Sequence, residues 1–198
     1  NDRVYVSEAG NRFSEVPFWR NESGSRSYEM GERIGAFIRE TASRLGLSDD
    51  SIDNGDSQND DEPVYEWLGS EYGLDRLSAE ALVSVLRAQQ HACGLPTDRT
   101  LVIEHYRDVM NQTHIILHNH CGRKVNRAWL LAIERQFEKL LPYRVYGNAK
   151  DNGIEFVLPK WDASWMQALY QVTPSNVEEL LVEAITGSPL LAISFRRI

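Results

Sequence analysis

The order of segments in the second half of the chain constrains its fold most. Leu101–Tyr106 and Thr113–His118 are β-rich runs separated by polar Asn111-Gln112, which predicts an antiparallel pair. Arg123 to Leu141 follows, with Val125, Trp129, Ile133, Phe137 and Leu140 on one face. That is the spacing of an amphipathic helix, and Pro142 stops it. Tyr143–Tyr146 and Ile154–Leu158 then flank Lys150-Asp151-Asn152-Gly153. Asn-Gly between apolar runs signals a tight hairpin whose two turn positions both take positive φ. The pattern predicts a β-β-α-β-β core unit, and with it an α+β fold in which amphipathic helices pack on a small antiparallel sheet.

The first half supplies helices. Ser27 is placed to cap one that carries Met30, Ile34, Phe37, Ile38 and Leu45 as a core-facing stripe up to about Gly46. Val64 to Gly73, with Tyr65, Trp67 and Leu68, reads as a short helix ended by glycine. A third, capped by Ser78 and bearing Leu82, Val85, Leu86 and Gln89, reaches Gly94, so the two resemble a helical hairpin. Near the end, Ser175 and Glu178 form a capping box for a helix over Val177–Ile185, and another helix begins at Ser188-Pro189. Trp129, Trp161 and Trp165 are assigned to core packing. No repeat of 20–50 residues is present.

The 198 residues carry a net charge of −8, which would repel nucleic acid if it were spread evenly. It is not. Asp49, Asp50, Asp53, Asp56, Asp60, Asp61 and Glu62 supply −7 with no intervening Lys or Arg, leaving a nearly neutral body. The segment from about 47 to 62 is too polar to offset its ordering entropy and reads as a disordered acidic loop. As a calcium loop begun at Asp50 it would put Ile52 at a ligand position, and Asp61-Glu62-Pro63 lacks the apolar strand that precedes a helicase acidic box.

Cys93 and Cys121 lack the spacing of a metal motif, and their scarcity suits a reduced, cytoplasmic setting. No apolar run is long enough to span a membrane, so no membrane partner is expected. The densest metal-type cluster is His118-x-His120-Cys121 with His114 four residues earlier, but a structural zinc site takes four ligands from two separated pairs. Alternation along a strand already explains His114 and His118, so no metal is expected. No Gly-x-x-x-x-Gly-Lys-Ser/Thr loop and no Gly-x-Ser-x-Gly elbow is present, so the fragment itself is read as a non-enzyme with no catalytic residues and no cofactor. A small hydrolase, with the histidine cluster as its best chemistry, is the weakest alternative.

Several motifs recur in a fixed order: Val16-Pro17-Phe18-Trp19-Arg20, Gly35-Ala36-Phe37, Leu95-Pro96-Thr97-Asp98-Arg99-Thr100, Glu104 with Arg107-Asp108, and Leu117-His118. Gly122-Arg123-Lys124-Val125 with Trp129, then Asp151-Asn152-Gly153-Ile154 through Leu158-Pro159, complete the series. In this order the chain resembles the DEAD/H-associated accessory domain of large helicase-related (Lhr-type) superfamily 2 helicases, over nearly its whole length. Asn119-His120-Cys121 departs from the family's Ser-Pro-Phe, Asn152 replaces an acidic residue, and the acidic loop is an insertion. Residues 1–20, with alternating Val4, Val6 and Phe13 and no initiator Met, would be the end of a preceding β-barrel, and 21–198 the accessory domain.

The resemblance implies a non-motor fragment that helps form the single-stranded DNA channel and braces RecA-like motor and winged-helix domains of the same polypeptide. The parent would be an ATP-dependent 3′-to-5′ DNA helicase using ATP and Mg2+, in DNA repair. The candidate nucleic-acid residues are Trp19, Arg20, Arg26, Arg123 and Lys124, with Arg127 close by. A Trp face stacks an unpaired base without sequence preference while Arg contacts phosphate, and amides at the helix start after Gly122 could cradle an anion. Trp19 packing at the barrel-to-helix junction, and Arg123 and Lys124 as a solvated first turn, are the competing readings. A protein-interaction module without nucleic-acid contact is the alternative function.

Overall fold

A computed structural model describes residues 24–47, 61–143, 145–159 and 164–186. Its elements are α1 (Tyr28–Arg44), α2 (Glu62–Tyr72), α3 (Arg76–Cys93), β1 (Val102–Arg107), β2 (Thr113–His118), α4 (Arg123–Leu140), β3 (Tyr146–Lys150), β4 (Gly153–Leu158), α5 (Ser164–Tyr170) and α6 (Val177–Thr186). The four strands form one antiparallel sheet in the order β1-β2-β4-β3. The expected α+β class and β-β-α-β-β unit are both present.

One face of that sheet makes the main core. Ile115 and Leu117 of β2 and Ile154, Phe156 and Leu158 of β4 pack with Leu130, Ile133 and Phe137 of α4 and Trp165, Ala168 and Leu169 of α5. Phe137 and Phe156 meet edge to face at 5.3 Å, an arrangement that adds to their area burial. Each such side chain contributes roughly 1.5–3 kcal/mol by leaving water. Trp129 packs at the margin of this core and Trp165 lies inside it, as assigned, whereas Trp161 falls outside the described residues. α6 is fastened to α4 by Arg135 and Lys139, whose cationic ends lie 2.9 and 2.7 Å from Glu183.

The buried face of α4 is rotated from the expected one. Asn126, Leu130, Ala132, Ile133, Gln136 and Phe137 point inward, while Val125 and Leu140 are exposed. The polar pair goes inside because each has a partner: Asn126 Nδ2 donates to the Lys150 carbonyl at 2.8 Å, and Gln136 Nε2 donates to Gln171 Oε1 at 2.6 Å.

β3 lies later than Tyr143–Tyr146. Its sequence, Tyr-Gly-Asn-Ala-Lys, has little strand propensity, but the turn pairs Lys150 with Gly153 and Tyr146 with Val157. Asp151 and Asn152 make the turn without positive φ, contrary to expectation; the unusual φ, +152°, belongs to Gly153. A Cβ there would lie 2.2 Å from the Leu117 carbonyl oxygen of β2. The glycine permits close strand approach.

α1 holds a second difference. Ser27 caps it as expected, its Oγ accepting from the Met30 amide at 3.2 Å, and Gly46, with φ +68°, lies just past its end. The stripe Met30, Ile34, Phe37 and Ile38 is only half-buried or exposed, and Leu45 alone of the expected set is deeply buried. The covered face is small: Gly31, Gly35, Thr41 and Ala42. A Cβ on Gly31 would lie 1.7 Å from the His120 carbonyl oxygen, and one on Gly35 would lie 2.4 Å from the Asp98 amide nitrogen. α1 therefore presses its backbone onto two loops.

The hairpin of α2 and α3 is present, with Gly73 in the left-handed conformation ending α2. Val64, Leu68, Ala79 and Val83 form a small core with Leu45, bordered by Phe37 and Trp67. The cap of α3 is Asp75, not Ser78: its carboxylate accepts from the Ser78 amide at 2.8 Å. Asp61 and Glu62 also leave the acidic loop. Asp61 is the cap residue of α2 and binds Arg87 at 2.7 Å, and Glu62 opens the helix and pairs with Arg76. The capping box at α6 is replaced, because Ser175 Oγ bonds Thr173 Oγ1 at 2.8 Å. The helix expected from Ser188 lies outside the described residues.

Candidate nucleic-acid interface

Trp19 and Arg20 lie outside the described residues. Arg26, Arg123 and Lys124 come together where the starts of α1 and α4 meet the β3–β4 turn. The organiser is Asp151. Its Oδ1 accepts from the backbone amides of Arg123 at 2.8 Å and Arg26 at 3.3 Å. Its carbonyl oxygen accepts from the Gly122 amide at 3.2 Å and from Arg26 Nη2 at 2.9 Å, and the same guanidinium donates to Asn152 Oδ1. Gly122, at φ +83°, leaves no room for a side chain, since a Cβ would lie 2.5 Å from the Arg26 carbonyl oxygen.

At the α4 start, one amide of the expected anion cradle, that of Arg123, is already taken by a carboxylate. Gly122 has no side chain to cap the helix, so Asp151 reaches across from the turn and brings an internal carboxylate to where a phosphate would sit. The guanidinium of Arg26 is likewise committed to the turn. At this corner the side chains of Lys124 and Arg127 are exposed, with Arg123 half-buried beside them.

Next to this corner the Leu95–Thr100 segment folds around Thr97, whose Oγ1 accepts from the amides of Arg99 and Thr100 at 3.1 and 3.0 Å. Arg39 grips Asp98 through two hydrogen bonds of 2.7 and 3.1 Å, which holds that carboxyl below the usual range. Arg99 is then the outward group, its side chain 75% exposed. Sequence reading quoted Arg99 within a motif without assigning it to the interface; turn geometry makes it a surface cation.

Between α1 and this loop lies a groove of about 240 Å³ walled by Tyr28, Glu32, Asp98, Arg99, His120 and Cys121. It is smaller than a typical small-molecule site, and Glu32 and Asp98 disfavour an anion there. His120 Nε2 lies 3.1 Å from the Pro96 carbonyl, and burial lowers its pKa, keeping it neutral. Burial pushes the Cys121 thiol up.

The structure also separates the expected histidine cluster. His114 and His118 share the open face of the sheet. His114 Nδ1 lies 2.9 Å from Glu155 and its Nε2 3.3 Å from Asp108, while its ring stacks on Tyr106 at 4.8 Å. The hydrogen bond with Glu155, above all, raises its pKa. His118 Nε2 lies 2.9 Å from Glu104. His120 and Cys121 belong to the groove instead, so the four do not form one site. Among the described residues, no helix is long and apolar enough to cross a membrane.

A family described as DEAD/H associated matches residues 95–198, just over half of the chain. The chain is 30% identical over 197 residues to the Lhr helicase/uracil glycosylase of Escherichia coli (strain K12), a match covering 98% of this chain and 12% of that protein. It is 29% identical to the Lhr helicase/probable uracil glycosylase of Mycolicibacterium smegmatis, over 99% of this chain and 12% of that protein. With the ATP-dependent helicase Lhr-Core of Methanothermobacter thermautotrophicus the identity is 23%, over 91% of this chain and 20% of the relative. The solved structure of Mycobacterium smegmatis helicase Lhr bound to ssDNA and AMP-PNP superimposes with a TM-score of 0.68 at 28% identity, covering 94% of this chain and 22% of that one. The chain thus spans between about an eighth and a fifth of these relatives.

Proposed function

We propose, from the premise that this chain belongs to the DEAD/H associated family, that it is the non-motor accessory part of an ATP-dependent 3′-to-5′ DNA helicase. Its role is to help form the channel for single-stranded DNA and to brace the RecA-like and winged-helix domains of the parent polypeptide. ATP and Mg2+ act in the parent's motor, and the work belongs to DNA repair in the cytoplasm. The observation that carries this reading is the likeness, over 94% of the chain, to a helicase solved with single-stranded DNA. Residues 1–20 are assigned to the end of the preceding β-barrel and 21–198 to the accessory domain with its acidic loop.

In this reading Lys124 and Arg127, on the first turns of α4, and Arg99, on the loop beside it, meet phosphates; Arg26 and Arg123 hold the corner in shape, and Trp19 and Arg20 supply the stacking face. The channel is electrostatic and sequence-tolerant. Titration with single-stranded DNA, followed by tryptophan fluorescence, tests it. Binding is weak and salt-sensitive, Trp19→Ala abolishes the quenching, and removing Lys124 and Arg127 flattens the salt dependence by about 0.7 per lost contact. No binding at low salt in any form overturns the channel role.

A second reading, a protein-interaction module, draws on the β1–β2 loop. Asp108 Oδ1 accepts from the amides of Met110 and Gln112 at 2.9 and 2.8 Å, locking a turn that exposes Val109 and Met110 to solvent. It gains ground only if the DNA titration is blank.

A further inference from the structure

Where the end of α3 meets the first hairpin, three side chains from three elements converge. Cys93 lies in the last turn of α3, Glu104 on β1 and His118 at the end of β2, and one ligand atom from each lies within 4.8 Å of the others. The register, with Val102 opposite His118 and Glu104 opposite Ile116, puts Glu104 and His118 diagonally on one sheet face. Their Oε2 and Nε2 are 2.9 Å apart. Gln89, one helical turn before Cys93, places its Nε2 2.8 Å from the Sγ. All three converging residues are half-buried.

We infer that Cys93, Glu104 and His118 form a binding site for one divalent cation of the zinc type.

The donor set decides the metal. A thiolate, an imidazole nitrogen and a carboxylate oxygen together match zinc's borderline-soft preference, whereas magnesium and calcium take oxygen ligands alone. Bonds of about 2.0–2.3 Å in a tetrahedron place ligand atoms roughly 3.3–3.7 Å apart. Side-chain torsions reach that spacing by closing the wider separations by at most about 1 Å and opening the 2.9 Å Glu104–His118 pair by about 0.4 Å. Three ligands leave the fourth position to water.

Binding conserves protons simply. It breaks the His118 Nε2–Glu104 Oε2 hydrogen bond: the imidazole keeps a proton on Nδ1 and offers a bare Nε2, Cys93 releases its thiol proton to solvent, and Glu104 enters as the carboxylate. Spacing rules missed the site because Cys93 stands alone in sequence, 25 residues before His118; helix and hairpin bring them together. The ion would tie α3 directly to β1 and β2.

Cobalt(II) alone is the probe. Titrated into the protein, it gives a thiolate-to-cobalt charge-transfer band that saturates at one equivalent and is displaced by zinc. The band disappears in Cys93→Ser and persists in Cys121→Ser, and His118→Gln weakens zinc competition by at least the ~10–100-fold that even outer partners of a metal site cost. Circular dichroism verifies folding of each variant. Absence of the band in the unaltered protein, or its survival in Cys93→Ser, overturns the site. If Cys93→Ser unfolds, Glu104→Gln replaces it, and unchanged zinc affinity there is equally fatal.

Discussion

The sheet-based unit and the helical part, α1 to α3, solve the burial problem in opposite ways. Around β2, β4 and α4, thirteen buried side chains form one continuous core, with large residues filling the space between layers. The cores of the helical part are smaller, and α1 docks by the absence of side chains at Gly31 and Gly35. Its larger apolar groups, Met30, Ile34 and Phe37, instead line an open groove with Tyr72, Leu74 and Leu82. One region is held by what it contains, and the other by how closely its backbone approaches a neighbour.

Four experiments sharpen or break this contrast, in decreasing order of effect. Phe156→Ala empties the centre of the sheet core and lowers stability by about 3–5 kcal/mol, read by denaturant unfolding; a loss below 1 kcal/mol would deny that core its dominance. Gly31→Ala forces a methyl group into the His120 carbonyl and costs up to ~3 kcal/mol. Hydrogen exchange should show protection lost in α1 and kept in β2 and β4, whereas uniform loss would mean that the two regions unfold as one. Asp151→Ala removes the cap of α4 and the anchor of Arg26, costing about 1–2 kcal/mol; unchanged stability would show that the corner stands without its carboxylate.

The smallest effect is on pH. His114 has its pKa raised by Glu155 and Asp108, so its stabilisation is complete below the ordinary 6.5 and is lost as pH rises through the elevated value. His120 has its pKa lowered by burial, so stability falls as pH drops below 6.5. Unfolding measured against pH should lose its alkaline slope in His114→Gln and its acidic slope in His120→Gln. Slopes that survive both substitutions would remove these residues from the account.

Legibility followed the same divide. The strands and α4 were readable because alternation and helical periodicity report burial directly: Thr113–His118 was read as observed, and β4 differs by one residue at its start. β3 was misplaced because Tyr-Gly-Asn-Ala-Lys carries no strand signal of its own and is recruited by the turn. α1 misled because its apolar stripe is real but its docking face is Gly31 and Gly35, and glycine adds nothing to a hydrophobic pattern. At the candidate site, Arg26, Arg123 and Lys124 were read as separate basic candidates, and the fold brings the starts of α1 and α4 together around Asp151. Asp151 was read only as a turn residue, since its capping of α4 spans 28 positions in the chain.

The bonds of Asp151 to Arg26 also bear on synthesis. They join residues 125 apart in sequence, so the start of α1 cannot take its final position while the ribosome is still making the segment between. At about 5–20 residues per second that interval lasts roughly 6–25 s. During it α1, with its exposed Phe37 stripe and its two glycines, waits for a surface not yet translated, and this is the period in which a nascent chain most needs a chaperone.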